Sequence, residues 1–281
     1  MSENDQNTGF LQAADGIRLF YREWRHHQPR GAVVLVHGLG EHGGRYDALA
    51  GIFHEAGFSV RIHDHRGHGR SEGASGSLRA SEDFLTDLKL VFDDFAAGRQ
   101  TTPFLFGHSL GGLVAARFAT GGLSKVRGLL LSSPALAIRM SCFQKILLAL
   151  TTRIAPGLAV STSLPTARLS HDAESVRAYQ ADPLNHDKVS ARVVNFMLDA
   201  MAQVQRDAGT FTLPLLLQIA GDDAFVDPAG SHSFFARVPQ VDKTFHCYDD
   251  AYHEIFNESA ERRLRAQRDL TAWLELHLHQ E

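Results

Sequence analysis

Five residues, Gly107-His108-Ser109-Leu110-Gly111, constrain the fold more than any other stretch of the chain. A short run of strand character, Phe104 to Phe106, ends just before them, and an apolar helical stretch, Leu110 to Ala119, begins inside them. A strand that passes this directly into a helix must turn sharply. Side chains beside Ser109 would then meet the neighbouring strand and helix, so glycine is needed on both sides. The turn lifts the Ser109 hydroxyl above the sheet edge, and the helix N-terminus behind it favours negative charge. A strand leading at once into a helix is also the repeating unit of a parallel sheet covered by helices.

The rest of the chain repeats that unit. Phe10 to Trp24 alternates around Asp15-Gly16 and predicts a β-hairpin. Ala32 to Val36 is a valine-rich run suited to a strand buried on both faces. Arg45 to Ala56 reads as a helix stopped by Gly57, and Ser59 to His63 as the next strand. Ser81 to Ala97 carries Phe84, Leu88, Val91, Phe92 and Phe95 at helical spacing, with Ser81 as its cap. Leu129 to Leu131 is a further strand. From residue 136 to residue 209 the pattern becomes mainly helical, broken at Pro156, Pro165 and Pro183. Strands resume at Leu215 to Ala220 and Lys243 to Tyr248, and a helix from Ser259 to His279 ends the chain. The expected organisation is an α/β core from residues 1–135 and 210–281. Its sheet is mostly parallel and covered on both faces, and residues 136–209 form an inserted helical cap.

Composition narrows the chemistry. A chain of 281 residues with 44% hydrophobic and 21% charged residues buries enough surface to fold without disulfide or metal. Its formal net charge of -4 gives no electrostatic reason to expect nucleic acid as a partner. Cys142 and Cys247 are expected to be free, partly buried thiols. The polar, acidic start, Met1 to Gly9, lacks the features of a signal peptide, and no apolar run approaches bilayer length. A cytoplasmic protein is expected. His37, His42, His63, His65 and His68 lie close in sequence, but without H-E-x-x-H or a cysteine pair no metal site is expected. The glycine-rich run Asp64 to Ser71 lacks both nucleotide-binding patterns, so no cofactor is expected either. That run is expected to be a structural loop, hydrogen-bonded beneath the site.

A serine hydroxyl is a weak nucleophile until a base takes its proton. In sheets of this kind the partners follow in the order serine, acid, histidine, at the carboxyl edge of the strands. His253 follows the strand ending at Tyr248 and is the expected base. Asp222, Asp223 and Asp227 follow the strand ending at Ala220, and all three are candidates for the acid. Asp227 precedes Pro228, where it would cap a helix. The loop His37-Gly38-Leu39-Gly40 follows the first buried strand. The amides of Leu39 and Leu110 would then be the two donors to a developing oxyanion.

Taken together, these segments resemble the monoacylglycerol lipase family, including its bacterial lysophospholipase-like members. The matching runs are His37-Gly38-Leu39-Gly40-Glu41-His42 with Gly44-Arg45-Tyr46, and Asp64-His65-Arg66-Gly67-His68-Gly69-Arg70-Ser71-Glu72-Gly73. Gly107 to Gly112, Gly221-Asp222-Asp223 with Val226-Asp227, Tyr252-His253-Glu254 with Asn257-Glu258, and Asp182-Pro183-Leu184 complete them. The resemblance covers nearly the whole chain and is weakest from Leu136 to Ala181. It implies an α/β-hydrolase fold and a serine hydrolase of single-chain lipid esters, above all monoacylglycerols. Ser109, an acid and His253 would carry an acyl-enzyme mechanism. In the family the acid stands four residues before a second aspartate, which implies Asp223 ahead of Asp227. Glu41 and Arg45 fall where the family has polar groups near the alcohol part of the ester, implying a substrate-binding role. Leu39 stands where a smaller residue is common, implying a narrower acyl entrance. A short-chain carboxylesterase, an acyltransferase or a peptidase on the same scaffold would share the chemistry up to the acyl-enzyme. Finally, Cys142 to Leu150 is apolar around most of a helix, with Gln144 and Lys145 as its polar edge. It would either pack the cap onto the core or stay exposed as a tunnel wall and a face for lipid aggregates.

Overall fold

The computed structural model describes residues 6–162 and 164–278. Among these residues, eight strands form one sheet in the order β1-β2-β4-β3-β5-β6-β9-β10. They are β1 (Gln6–Gln12), β2 (Arg18–Trp24), β3 (Gly31–Val36), β4 (Phe58–His63), β5 (Phe104–His108), β6 (Leu129–Ser132), β9 (Leu215–Ala220) and β10 (Lys243–Tyr248). β1 and β2 form the expected hairpin, turning at Gly16 with φ 87°, and β2 runs antiparallel to β4. The other pairings of this sheet are parallel. The molecule therefore has the mostly parallel sheet that the strand–helix alternation implies, and the α/β-hydrolase architecture that the resemblance implies.

Successive side chains of a strand point to opposite faces, so continuous apolar runs feed two cores at once. Val34, Val36 and Leu105 face one way. There they meet Phe84, Leu88 and Phe92 of α2 (Asp83–Ala96), Leu113 and Val114 of α3 (Ser109–Thr120), and Phe234 of α7 (Pro228–Arg237). Val33, Leu35 and Phe106 face the other way, against Leu49 and Phe53 of α1 (Asp47–Glu55) and Leu270 and Trp273 of α8 (Ala260–Leu278). Residue 279, where the last helix was expected to end, lies outside the described residues.

Three local expectations are corrected. Ser81 does not cap α2; the helix starts at Asp83, whose carboxylate accepts the amides of Arg79 at 2.7 Å and Ala80 at 2.9 Å. That carboxylate ties down the turn before the helix, and among the described residues no side chain caps the free amides of α2. The helix expected from Arg45 begins instead as a 3-10 turn, Gly43–Tyr46, capped by the His42 side chain. Cys142 is exposed rather than partly buried; both cysteines are free.

Between β6 and β9 lie α4 (Cys142–Ile154), β7 (Ala159–Ser161), α5 (Ala173–Ala181), β8 (Lys188–Ser190) and α6 (Ala191–Asp207). β7 and β8 pair as a small antiparallel sheet that helical periodicity alone did not predict. α6 packs into the main core through Val193, Phe196, Ala200 and Val204. α4 buries none of its residues completely. No described helix is long and apolar enough to cross a membrane.

Candidate active site

β5 delivers its last residue, His108, directly to α3, and Ser109 sits at the bend with φ 52°. Residues other than glycine rarely occupy this left-handed region, and they are held there only when the surroundings demand it. Those surroundings are tight. A Cβ on Gly107 would lie 2.4 Å from the Gly111 oxygen, and one on Gly111 would lie 2.2 Å from the Val36 oxygen. Both glycines of the motif are therefore required by contact with neighbouring backbone.

Ser109 Oγ lies 2.9 Å from His253 Nε2, and His253 Nδ1 lies 2.7 Å from Asp223 Oδ2. The imidazole proton that faces a carboxylate must sit on Nδ1, which leaves Nε2 free to accept from the serine hydroxyl. The other Asp223 oxygen accepts the amides of Phe225 at 2.8 Å and Val226 at 3.0 Å. The Phe225 ring stacks on His253 at 4.9 Å. Burial alone would raise the Asp223 carboxyl. The charge and hydrogen bond of His253, with the two amides, outweigh burial and hold it below the usual range. Burial alone would lower His253, but the Asp223 charge and hydrogen bond, with Glu254 and Glu41 nearby, raise it above its ordinary value.

Of the three candidate acids, the structure brings only Asp223 to His253. Asp222 is exposed and pairs with Arg168 at 2.6 Å. Asp227 caps α7 through the Ala229 amide at 3.1 Å and pairs with Arg139. Leu110 lies in the first turn of α3, where backbone amides lack an intrahelical acceptor. It lines one cavity with Leu39, Ser109 and His253. That cavity is about 500 Å³, and its walls include Ile138, Leu148, Val194, Met197 and Phe225.

Glu41 also lines the cavity, but Arg45 does not. Arg45 was expected at the alcohol end of the substrate. Its guanidinium pairs with Glu41 and Glu254, its side chain is 11% exposed, and it lines a smaller cavity with these two glutamates and His108. Sequence reasoning missed Glu254 as its partner, although Glu254 stands next to His253. It also missed His108, whose ring lies 4.8 Å from His253. Burial, then the neighbouring His253, pushes His108 down to about 4, so it is neutral beside His253.

The run Asp64 to Ser71 braces the floor of the site. Asp64 accepts the amides of Gly43 at 2.7 Å and Arg70 at 2.8 Å, and His37 Nε2 accepts the His65 amide at 2.8 Å. Arg66 pairs with Asp87, Asp83 and Asp15. Among the described residues no histidine, cysteine and carboxylate group could hold a metal ion. Burial keeps the histidines here neutral, with His63 pushed down to about 4 and His68 to about 3. The unfolded chain therefore binds more protons than the folded one below pH 6.5, and stability falls as pH falls from there. For each of His63, His68 and His108 the loss at pH 5 is on the order of 2 kcal/mol, at about 1.4 kcal/mol per pH unit. His253, shifted the other way, offsets a part. Melting temperatures should drop steadily between pH 6.5 and pH 5, before carboxylates such as Asp223 titrate. A flat profile over that window would contradict the assignment of these histidines as neutral.

Comparison with known proteins shows the family. The family described as "Serine aminopeptidase, S33" matches residues 27–260. The chain is 34% identical to the monoacylglycerol lipase of Mycolicibacterium smegmatis, over 94% of this chain and 95% of that one. It is 30% identical to the monoglyceride lipase of Rattus norvegicus, over 96% and 90% respectively. The crystal structure of Paleococcus ferrophilus monoacylglycerol lipase superposes with a TM-score of 0.85 at 36% identity, covering 92% of this chain and 99% of that one. The chain thus belongs to the monoacylglycerol lipase family of α/β-hydrolases, within the S33 group, and is a serine ester hydrolase.

Proposed function

We propose that the protein hydrolyses monoacylglycerols and similar single-chain lipid esters through an acyl-enzyme on Ser109. The observation that carries this reading is the Ser109–His253–Asp223 relay opening into a cavity of about 500 Å³ with mainly apolar walls. His253 takes the Ser109 proton as Oγ attacks the ester carbonyl. The amides of Leu39 and Leu110 hold the resulting oxyanion. His253 then protonates the departing alcohol. Water, activated by the same imidazole, releases the fatty acid. Asp223 keeps the imidazole in the required tautomer throughout. The names of the relatives support an acylglycerol as the ester.

In the same reading, residues 136–209 act as a cap, and α4 meets lipid. Gln144, Leu147, Leu148 and Thr151 line the cavity. Phe143, Ile146 and Ile154 are 73%, 61% and 80% exposed. An apolar face beside an acyl cavity suits a peripheral contact with lipid aggregates.

A panel of monoacylglycerols and p-nitrophenyl esters of rising chain length, run beside an amide substrate, tests both points. Hydrolysis should favour long-chain glyceryl esters over acetyl esters and over the amide. A preference for the amide would support the peptidase alternative instead. Phe143→Ser and Ile146→Ser should leave the melting temperature nearly unchanged. Each should lower kcat/KM on aggregated long-chain monoacylglycerol about tenfold or more, since a buried apolar side chain is worth roughly 1.5–3 kcal/mol. Neither should alter turnover of a short soluble ester. Equal losses on both substrates would end the docking idea.

A further inference from the structure

We infer that Arg45 is a positioning residue that locks the oxyanion loop to the loop carrying His253, rather than a ligand for the substrate. This rests on the acyl-enzyme reading above. The observation is a continuous chain of contacts. Arg45 donates to both oxygens of Glu254, at 2.8 Å from Nη1 and 2.7 Å from Nη2. Nη1 also donates to Glu41 Oε2. Glu41 Oε1 in turn accepts the Gly38 amide at 2.6 Å and the Tyr46 hydroxyl at 2.6 Å. Gly38 immediately precedes the oxyanion donor Leu39, and Glu254 immediately follows the base His253.

These groups are largely buried. The Glu41 and Glu254 side chains are 5% and 6% exposed, and the Arg45 guanidinium lies 4.7 Å from the Tyr179 ring centroid. Asn257 Nδ2 donates to Glu254 at 3.0 Å, and the Glu254 amide donates to the Leu169 oxygen at 2.9 Å. A planar fork that grips one carboxylate with both nitrogens and a second with one fixes their relative placement more strictly than a single point charge would. The donor and the base must be set within a fraction of an ångström, because a misplacement of about 1 Å can cost about 10²-fold in rate.

The same triad sets a local charge. Asp223 from the β9 loop, His108 from β5, Glu41 from the β3 loop and Glu254 all face His253, and Arg45 is the cation that balances the two glutamates. Glu254 and Glu41 already favour the charged imidazole. Without Arg45 they would do so more strongly, and the base would become inactive at a higher pH.

The experiment compares kcat, KM and the pH profile of kcat/KM for wild type, Arg45→Gln, Arg45→Lys and Glu254→Gln. The substrates are the glyceryl and methyl esters of one fatty acid. Arg45→Gln should lower kcat by about 10²-fold on both esters while leaving KM nearly unchanged, and move the acid limb to higher pH. Arg45→Lys should restore the limb but not the full kcat, because the charge returns without the fork. Glu254→Gln should move the limb to lower pH. A rise in KM confined to the glyceryl ester would make Arg45 a substrate ligand and overturn the inference. So would equal activity loss in Arg45→Gln and Glu254→Gln with an unmoved limb, which is what a merely structural role produces. If Arg45→Gln does not fold, the other two variants decide. Full kcat in Arg45→Lys, or an unmoved limb in Glu254→Gln, overturns the proposal. Ser109→Ala, run in parallel, separates this from the underlying reading. If that variant keeps its activity, the acyl-enzyme assignment fails, whereas an inactive Ser109→Ala beside indifferent Arg45 variants sinks the positioning role alone.

Discussion

Replacing Ser109 by alanine should remove nearly all ester hydrolysis while the protein stays folded. In serine hydrolases, removing the nucleophile costs on the order of 10⁶-fold in kcat, and the oxyanion donors and binding leave only a small residue of catalysis. The fold should tolerate the change for a local reason. Ser109 already sits at φ 52° with the strain its Cβ brings there, and alanine, which has the same Cβ, adds none. The hydrogen bond to His253 Nε2 is the contact given up. The check is kcat/KM on a long-chain monoacylglycerol, with melting temperature beside it. A fluorophosphonate probe should label wild type at Ser109 and leave the variant unmodified. Substantial turnover by the alanine variant would remove Ser109 from the mechanism.

The bend at Ser109 was legible because its cause is local. Two glycines pressed against neighbouring backbone cannot be anything else, and a serine between them has few other uses. Strands were legible for a similar reason: Leu215 to Ala220 has the bounds its apolar run predicts, and the half-buried edge strand Lys243 to Tyr248 also has its expected bounds. The helix start at Asp83 was not, since Ser81 is a good cap residue by type, whereas the start is set by the turn in which Asp83 accepts the amides of Arg79 and Ala80. β7 and β8 were invisible because each is three residues long and gains its partner from 27 or more positions away in the chain. That α6 packs on the main core through Val193, Phe196, Ala200 and Val204 was not legible, because periodicity reports that a helix has an apolar face, not what that face meets. The role of Arg45 was out of reach for a related reason. Spacing placed it near Glu41, but the carboxylate that encloses it, Glu254, is 209 positions away. Long-range ion pairs leave no periodic mark in a sequence.

The two adjacent aspartates give the sharpest separate test, because one position along the chain should divide a large effect from almost none. Asp223→Asn leaves the size of the side chain nearly unchanged but replaces an acceptor by an amide that can present N–H to the imidazole. His253 would then settle with its proton on Nε2, facing Ser109, and could no longer accept the hydroxyl proton. The comparable change in another serine hydrolase lowers kcat about 10⁴-fold through the wrong tautomer, and a loss of that order is expected here. Removing the Asp223 charge also takes away the main support for the protonated imidazole, so the remaining activity should have its acid limb at lower pH than wild type. Asp222→Asn removes only an exposed pair with Arg168, whose ordinary worth is about 0–1 kcal/mol of stability. Its kcat should stay within about twofold of wild type, since a surface pair of that kind does not touch the transition state. Asp227→Ala is the useful third variant. It should lower stability by about 1 kcal/mol through loss of the α7 cap while leaving the rate nearly intact. Steady-state kinetics on a soluble ester, with urea or thermal denaturation for each variant, resolves all three. Should Asp222→Asn prove the damaging change, with Asp223→Asn close to wild type, the hydrogen bond of 2.7 Å between His253 and Asp223 would not be the one that orients the base.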